Sequence, residues 1–223
     1  MKTINAAGRE LSLYGEGGPL ILLLGGGEAG DAVWSETKKR TAAPLTLALL
    51  PVGDWDGALS PWPAEKIFRG GRDFSGGAGE TLAFLERELL PALTESLGRA
   101  GEAPWLAGYS LAGLFALWAL FESGAFAGAL SASGSLWYPG FADYAARPFR
   151  RRPQGVYLSL GDKESRTRNP VMARVEENTR AFFARCQSES IPTRFDLNPG
   201  NHFNEPEKRL AMGLAWIAEG CEP

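Results

Sequence analysis

The chain has 223 residues, 44% of them hydrophobic and 22% charged. That is enough for one sizeable core and too little for two comfortable domains, so residues 1–223 are read as a single domain, and wholesale disorder and fibrous repeats are excluded. A net charge of -3 and a pI of about 5.4 give no broad positive field, and the one dense basic cluster, at 147–152, is short, which sets nucleic acid aside as a partner. The longest apolar stretch, 111–121, falls far short of the roughly 20 residues needed to cross a bilayer, so no membrane partner is expected. The first ten residues lack an apolar core of a signal peptide, which makes the cytoplasm the expected location. Cys186 and Cys221 have no neighbouring thiol or histidine in the sequence and read as reduced thiols, with no metal site. The 28 glycines cluster at the ends of apolar runs, as tight strand ends require.

Short apolar runs alternate with helix-like stretches, the pattern of a mostly parallel sheet with helices on both faces. In chain order, strands are expected at 20–24 and 45–52, a helix at 81–97, a strand at 104–109, a helix at 111–123, and strands at 127–133 and 156–160. A helix at 171–187, a strand at 193–198 and a helix at 205–219 complete the order. In 81–97, Leu82, Leu85, Leu89 and Leu93 fall on one face and Gly98 stands where a C-cap belongs. Two stretches, 53–79 and 136–153, are rich in Pro, Gly and aromatics and carry no assignment. Loops of that length in a compact domain are usually functional.

The strongest chemical signal is Gly108-Tyr109-Ser110-Leu111-Ala112-Gly113, where an apolar strand turns directly into an apolar helix. It reads as a nucleophile elbow, in which a strained serine projects its Oγ above the sheet while the residues two before and two after stay small because strand and helix nearly touch. Gly108 and Ala112 meet that need, Ala112 replacing the second glycine of G-x-S-x-G. The competing possibility is a plain serine N-cap. A serine needs a base, and the chain holds one histidine. His202 lies in Asn198-Pro199-Gly200-Asn201-His202-Phe203, beyond the carboxyl end of the last strand, where open α/β sheets place their sites. For the third member, the strand at 156–160 ends in Gly161-Asp162-Lys163-Glu164. Glu164, where the chain bends toward the histidine loop, is the first choice and Asp162 the reserve; a solvated turn, or a Ser-His pair without an acid, stays open. Serine, acid and histidine in this chain order match α/β-hydrolase triads.

Gly25-Gly26-Gly27-Glu28-Ala29-Gly30 formally matches the dinucleotide pattern G-x-G-x-x-G, with Asp54 downstream, but Glu28 would put a negative charge in the phosphate cradle. In a hydrolase this loop instead supplies a backbone N–H to the oxyanion hole, with Gly26 and Leu111 as the two donors. Trp55, Trp62, Phe68 and Phe74 in one long loop, and Trp137 and Tyr138 in the other, either wall a pocket above Ser110 or pack their loops onto the body. Trp55, Trp137 and Tyr138 are the substrate-binding candidates. Arg69 and Arg72 are either solvated or face an acidic substrate group.

Over nearly its whole length the chain resembles the serine esterase family of α/β-hydrolases, the esterase D-like group that includes trilactone siderophore esterases. The segments that carry this are the elbow at Ser110, the Gly161-Asp162-Lys163-Glu164 strand end and Gly200-Asn201-His202. The resemblance implies an α/β-hydrolase fold with Ser110 as nucleophile, His202 as base, Glu164 as orienting acid, and Gly26 and Leu111 as oxyanion donors. It implies a serine carboxylic ester hydrolase that acts through an acyl-enzyme on a small-molecule ester, with no cofactor. The rivals are a non-catalytic small-molecule-binding member of the fold and a nucleotide-dependent oxidoreductase.

Overall fold

The apolar runs are too hydrophobic on both faces to lie anywhere but in the middle of a covered sheet. In the computed structural model, which describes residues 1–27, 29–67 and 70–221, the strands in chain order are β1 (Lys2–Ala6), β2 (Arg9–Gly15), β3 (Leu20–Gly25), β4 (Thr46–Pro51), β5 (Pro63–Ala64), β6 (Phe74–Ser75), β7 (Trp105–Tyr109), β8 (Ala129–Ala132), β9 (Val156–Gly161) and β10 (Thr193–Asn198). Eight of them form one sheet in the order β1-β2-β4-β3-β7-β8-β9-β10, and β5 and β6 form a separate antiparallel ribbon. Within the large sheet β2 runs against both its neighbours, while every other pairing is parallel. This is the α/β-hydrolase arrangement. All six expected strands are present, each boundary within two residues of its expected place. β1 and β2 add an edge hairpin that was not foreseen, since Lys2, Arg9 and Glu10 interrupt its short alternating pattern.

The helices are α1 (Ala29–Lys38), α2 (Trp55–Ala58), α3 (Ala78–Phe84), α4 (Leu90–Ser96), α5 (Leu111–Glu122), α6 (Phe141–Tyr144), α7 (Val175–Ser188) and α8 (Pro206–Ala218). The helix expected at 81–97 is realised as α3 and α4 joined by a wider π turn, Leu85–Leu89, and a 3-10 turn, Met172–Arg174, leads into α7. Alternation along β3 sorts the core: Leu20, Leu22 and Leu24 face α3, α4, α5 and α7, whereas Ile21 and Leu23 face α1 and α8. α5 is buried on all sides from Leu111 to Phe121, so its unbroken apolar sequence reflects a position inside the molecule. The two unassigned stretches hold α2, the β5–β6 ribbon and α6. Cys186 and Cys221 are free thiols. Among the described residues no helix is long and apolar enough to cross a membrane.

Candidate active site

Because β7, β8, β9 and β10 run parallel, their carboxyl ends open at one rim, and the segments after them meet there. Ser110 stands between β7 and α5 at φ 57 and ψ -122, a strained backbone for a residue with a Cβ. Three backbone hydrogen bonds hold it: its N–H donates to the Ala132 carbonyl at 3.0 Å, and its carbonyl accepts from the Ser135 N–H at 3.0 Å and the Leu114 N–H at 3.1 Å. The turn also needs Gly108, where a Cβ would lie 2.4 Å from the Ala112 carbonyl carbon. Strand and helix touch where the sequence required small residues.

His202 sits in a loop tied down at both sides. The Gly200 N–H donates to Asp162 Oδ1 at 2.7 Å, the Asn201 N–H to Asn204 Oδ1 at 2.7 Å, and the Tyr109 hydroxyl to the His202 carbonyl at 2.6 Å. These ties bring the imidazole between two partners: Nδ1 lies 2.8 Å from Glu164 Oε2 and Nε2 lies 3.0 Å from Ser110 Oγ. An ionised carboxylate only accepts, so Nδ1 carries the proton and Nε2 is free to accept from the serine hydroxyl.

Glu164 has a side chain only 4% exposed, and its second oxygen is fully engaged. Oε1 accepts from the Gly161 N–H at 2.7 Å, the Ser133 hydroxyl at 2.8 Å and Arg209 Nη1 at 2.7 Å. Burial is the largest single influence on this carboxyl and pushes its pKa up. The hydrogen bond and charge of His202, with the Gly161 and Ser133 donors, outweigh it and hold the group below the ordinary carboxylate value. Asp162, the reserve candidate, is occupied in fastening the histidine loop through Gly200.

Ser110, Leu111 and His202 open onto a cavity of about 370 Å³ whose apolar walls are Trp55, Phe74, Trp137, Met172, Val175 and Phe203. Leu111 is the first residue of α5, and the N–H groups of a helix's first turn have no carbonyl acceptor within their own helix. Gly26 lies two residues beyond Leu24, whose register partner is Gly108, so it follows β3 as Ser110 follows β7. It is exposed and outside the cavity lining.

A model of the family described as Putative esterase matches residues 14–207. The chain belongs to this esterase family. Among solved structures, the esterase is similar to an IroE-like serine hydrolase from Shewanella oneidensis at 19% identity and TM-score 0.75, with 95% of this chain and 75% of that chain covered. It is similar to the siderophore hydrolase EstA from Aspergillus nidulans at 19% identity and TM-score 0.70, with 96% and 90% covered. The enterobactin esterase FES from Shigella flexneri follows at 19% identity and TM-score 0.68, with 95% of this chain and 55% of that chain covered. At such identities the likeness is one of fold. A comparison with curated proteins found no match.

In this esterase Ser110, His202 and Glu164, remote in sequence, come together, and Trp55 and Trp137 line the cavity beside them. Tyr138 does not: it is 1% exposed, donates its hydroxyl to the Trp62 carbonyl at 2.6 Å and packs edge-on against Phe74. Of the other loop aromatics, Phe74 reaches the cavity, while Trp62 packs at a tilt against Tyr144 and donates Nε1 to the Pro139 carbonyl at 2.9 Å. Arg72 is exposed; Glu28, Phe68 and Arg69 lie outside the described residues. The last glycine of the G-x-G-x-x-G pattern has a packing reason, since a Cβ on Gly30 would lie 2.4 Å from the Tyr14 hydroxyl. Sequence reasoning missed Ser133, Met172, Val175, Phe203 and above all Arg209. A signal for Arg209 existed: it shares a helical face with Gly213, Trp216 and Ile217, all buried.

Proposed function

We propose that the esterase cleaves small-molecule carboxylic esters through an acyl-enzyme, with Ser110 as nucleophile, His202 as general base and Glu164 as orienting acid. The observation that supports this most is the unbroken hydrogen-bond chain from Ser110 Oγ through His202 to Glu164, at 3.0 and 2.8 Å, facing an apolar cavity. Ser110 Oγ forms a bond to the ester carbonyl carbon as its proton passes to His202 Nε2, and the carbonyl electron pair moves onto oxygen. The resulting oxyanion is met by the N–H of Leu111, which lines the cavity and is backed by the positive end of α5; Gly26, the second donor expected, stands outside the cavity lining. When the carbon–oxygen bond to the alcohol breaks, the proton on Nε2 goes to the departing alkoxide. Water then repeats the sequence at the acyl carbon and frees the acid, with His202 acting first as base and then as acid.

Glu164 takes no proton in these steps. It holds Nδ1–H so that Nε2 faces the serine, and its negative charge steadies the imidazolium that forms. The aromatic and aliphatic walls favour an apolar or aromatic group on the bound ester over a highly charged one. A panel of para-nitrophenyl esters of graded chain length tests both activity and pocket depth. The wild-type chain should hydrolyse the shorter or aromatic members, and Ser110→Ala and His202→Ala should each lose about 10⁴-fold or more in kcat while still folding. Full turnover by either variant would refute the assignment.

A further inference from the structure

Behind the serine, histidine and glutamate lies a buried guanidinium that the acyl-transfer steps do not use. Arg209, in the first turn of α8, is 1% exposed. Its guanidinium bridges two separate parts of the site. Nη1 donates to Glu164 Oε1 and to Ser133 Oγ, both at 2.7 Å, with the Tyr109 hydroxyl at 3.3 Å. Nη2 donates to the backbone carbonyls of Asn201 at 2.9 Å and Pro199 at 3.4 Å. One prong of the fork therefore grips the acid and the other grips the loop that carries the base.

Stripping water from a guanidinium is costly, and among the described residues its Nε is buried without a hydrogen-bond partner. A leucine or methionine would fill the space more cheaply, so packing alone is a poor reason for an arginine here. The surroundings are shaped for it: a Cβ on Gly161 would come 2.8 Å from Nη2. Lysine could supply the charge but not the planar fork that reaches both Glu164 and the Asn201 carbonyl.

We propose that Arg209 is a positioning residue of the reaction, holding Glu164 and the His202 loop in one rigid frame. This rests on the assignment of Ser110, His202 and Glu164 as the catalytic groups. Arg209 acts through both geometry and charge. Glu164 is faced by His202 from the loop before α8, by Arg209 from α8, by Tyr109 from the end of β7 and by the Ser133 hydroxyl after β8. On its own turn Asp162 is engaged with Gly200, and Lys163 and Arg166 are exposed. Without the guanidinium a positive charge is gone from beside the coupled Glu164–His202 pair, so the pair takes up a proton more readily and activity should fail at a higher pH on the acid side.

The test compares kcat and KM across pH for the full chain, Arg209→Lys and Arg209→Met, with circular dichroism to establish folding and Ser110→Ala as a control. Arg209→Met should lose about 100-fold in kcat with KM within about twofold, and its acid limb should move up by about one pH unit. Arg209→Lys, which keeps the charge but loses the second prong, should lose about tenfold in kcat and keep the wild-type acid limb. A folded Arg209→Met with wild-type kcat and acid limb overturns the proposal, as do equal kcat losses in both variants with neither acid limb moved. If Arg209→Met does not fold, wild-type kcat in Arg209→Lys overturns it alone. Failure of the underlying assignment is distinct, because Ser110→Ala would then retain turnover whatever the Arg209 variants do.

Discussion

Two halves of the site meet at Ser110 and are built in opposite ways. On one side His202, Glu164, Ser133 and Arg209 are locked by short directional bonds, with Glu164 and Arg209 almost wholly buried. On the other side Trp55, Trp137, Met172 and Phe203 form an apolar wall, and Phe203 is 86% exposed at the mouth of the cavity. Hydrogen bonds have narrow distance and angle limits, whereas apolar contact tolerates repacking. The bonded half should therefore fail when a single atom is changed, while the apolar half should shift preference by degrees.

After the losses at Ser110 and His202 themselves, the largest expected effect comes from Glu164→Gln, which keeps the shape of the bonded half and removes its charge. The amide can satisfy His202 with the wrong tautomer, so kcat should fall by about 10⁴-fold in steady-state assays. The same variant leaves Arg209 buried without its counter-charge, at a cost of about 3 kcal/mol in urea unfolding at neutral pH. That gap has a pH dependence of known sign. Glu164 is held below the ordinary carboxylate value of 4.5, so its ionised form stabilises the fold fully above that pH. The contribution is lost as pH falls through the lowered value, and the wild-type and Glu164→Gln curves should converge there. A gap that stays constant or widens toward acid would mean that the carboxylate's charge does not matter to the frame.

How much of this could be read from the sequence follows the same division. Ser110 was legible because an elbow needs small residues at fixed offsets, and Gly108 and Ala112 supplied them. His202 was legible because it is the chain's one histidine and follows the last strand. Glu164 was separable from Asp162 only by where each carboxylate reaches, since both belong to one turn; the structure gives Glu164 to the imidazole and Asp162 to Gly200. Arg209 was passed over because an arginine beside Lys208 and Glu207 at a helix start looks like surface charge, and its burial depends on the close approach of Gly161 and Gly200. The cavity wall was legible in part. Aromatic residues in long loops announce contact surface without direction, so Trp137 and Tyr138, adjacent in sequence, end up in the cavity and in the core. The β1–β2 hairpin escaped because an edge ribbon of five and seven residues with charged positions carries little periodic signal.

The smallest expected effect tests the apolar half. Phe203→Ala removes an exposed ring that packs 5.4 Å from the His202 ring centroid. KM for an aromatic ester should rise by about three-fold, with kcat and thermal stability nearly unchanged. A loss of kcat comparable to that of Glu164→Gln would erase the distinction between the two halves.

The sharpest check on covalent chemistry at Ser110 is intact-protein mass spectrometry during turnover of a slowly deacylating aromatic ester, followed by peptide mapping. The wild-type chain should gain the mass of one acyl group on the peptide containing Ser110, and Ser110→Ala should gain none. Hydrolysis without any acyl adduct on that peptide, or an adduct that persists in Ser110→Ala, would contradict it.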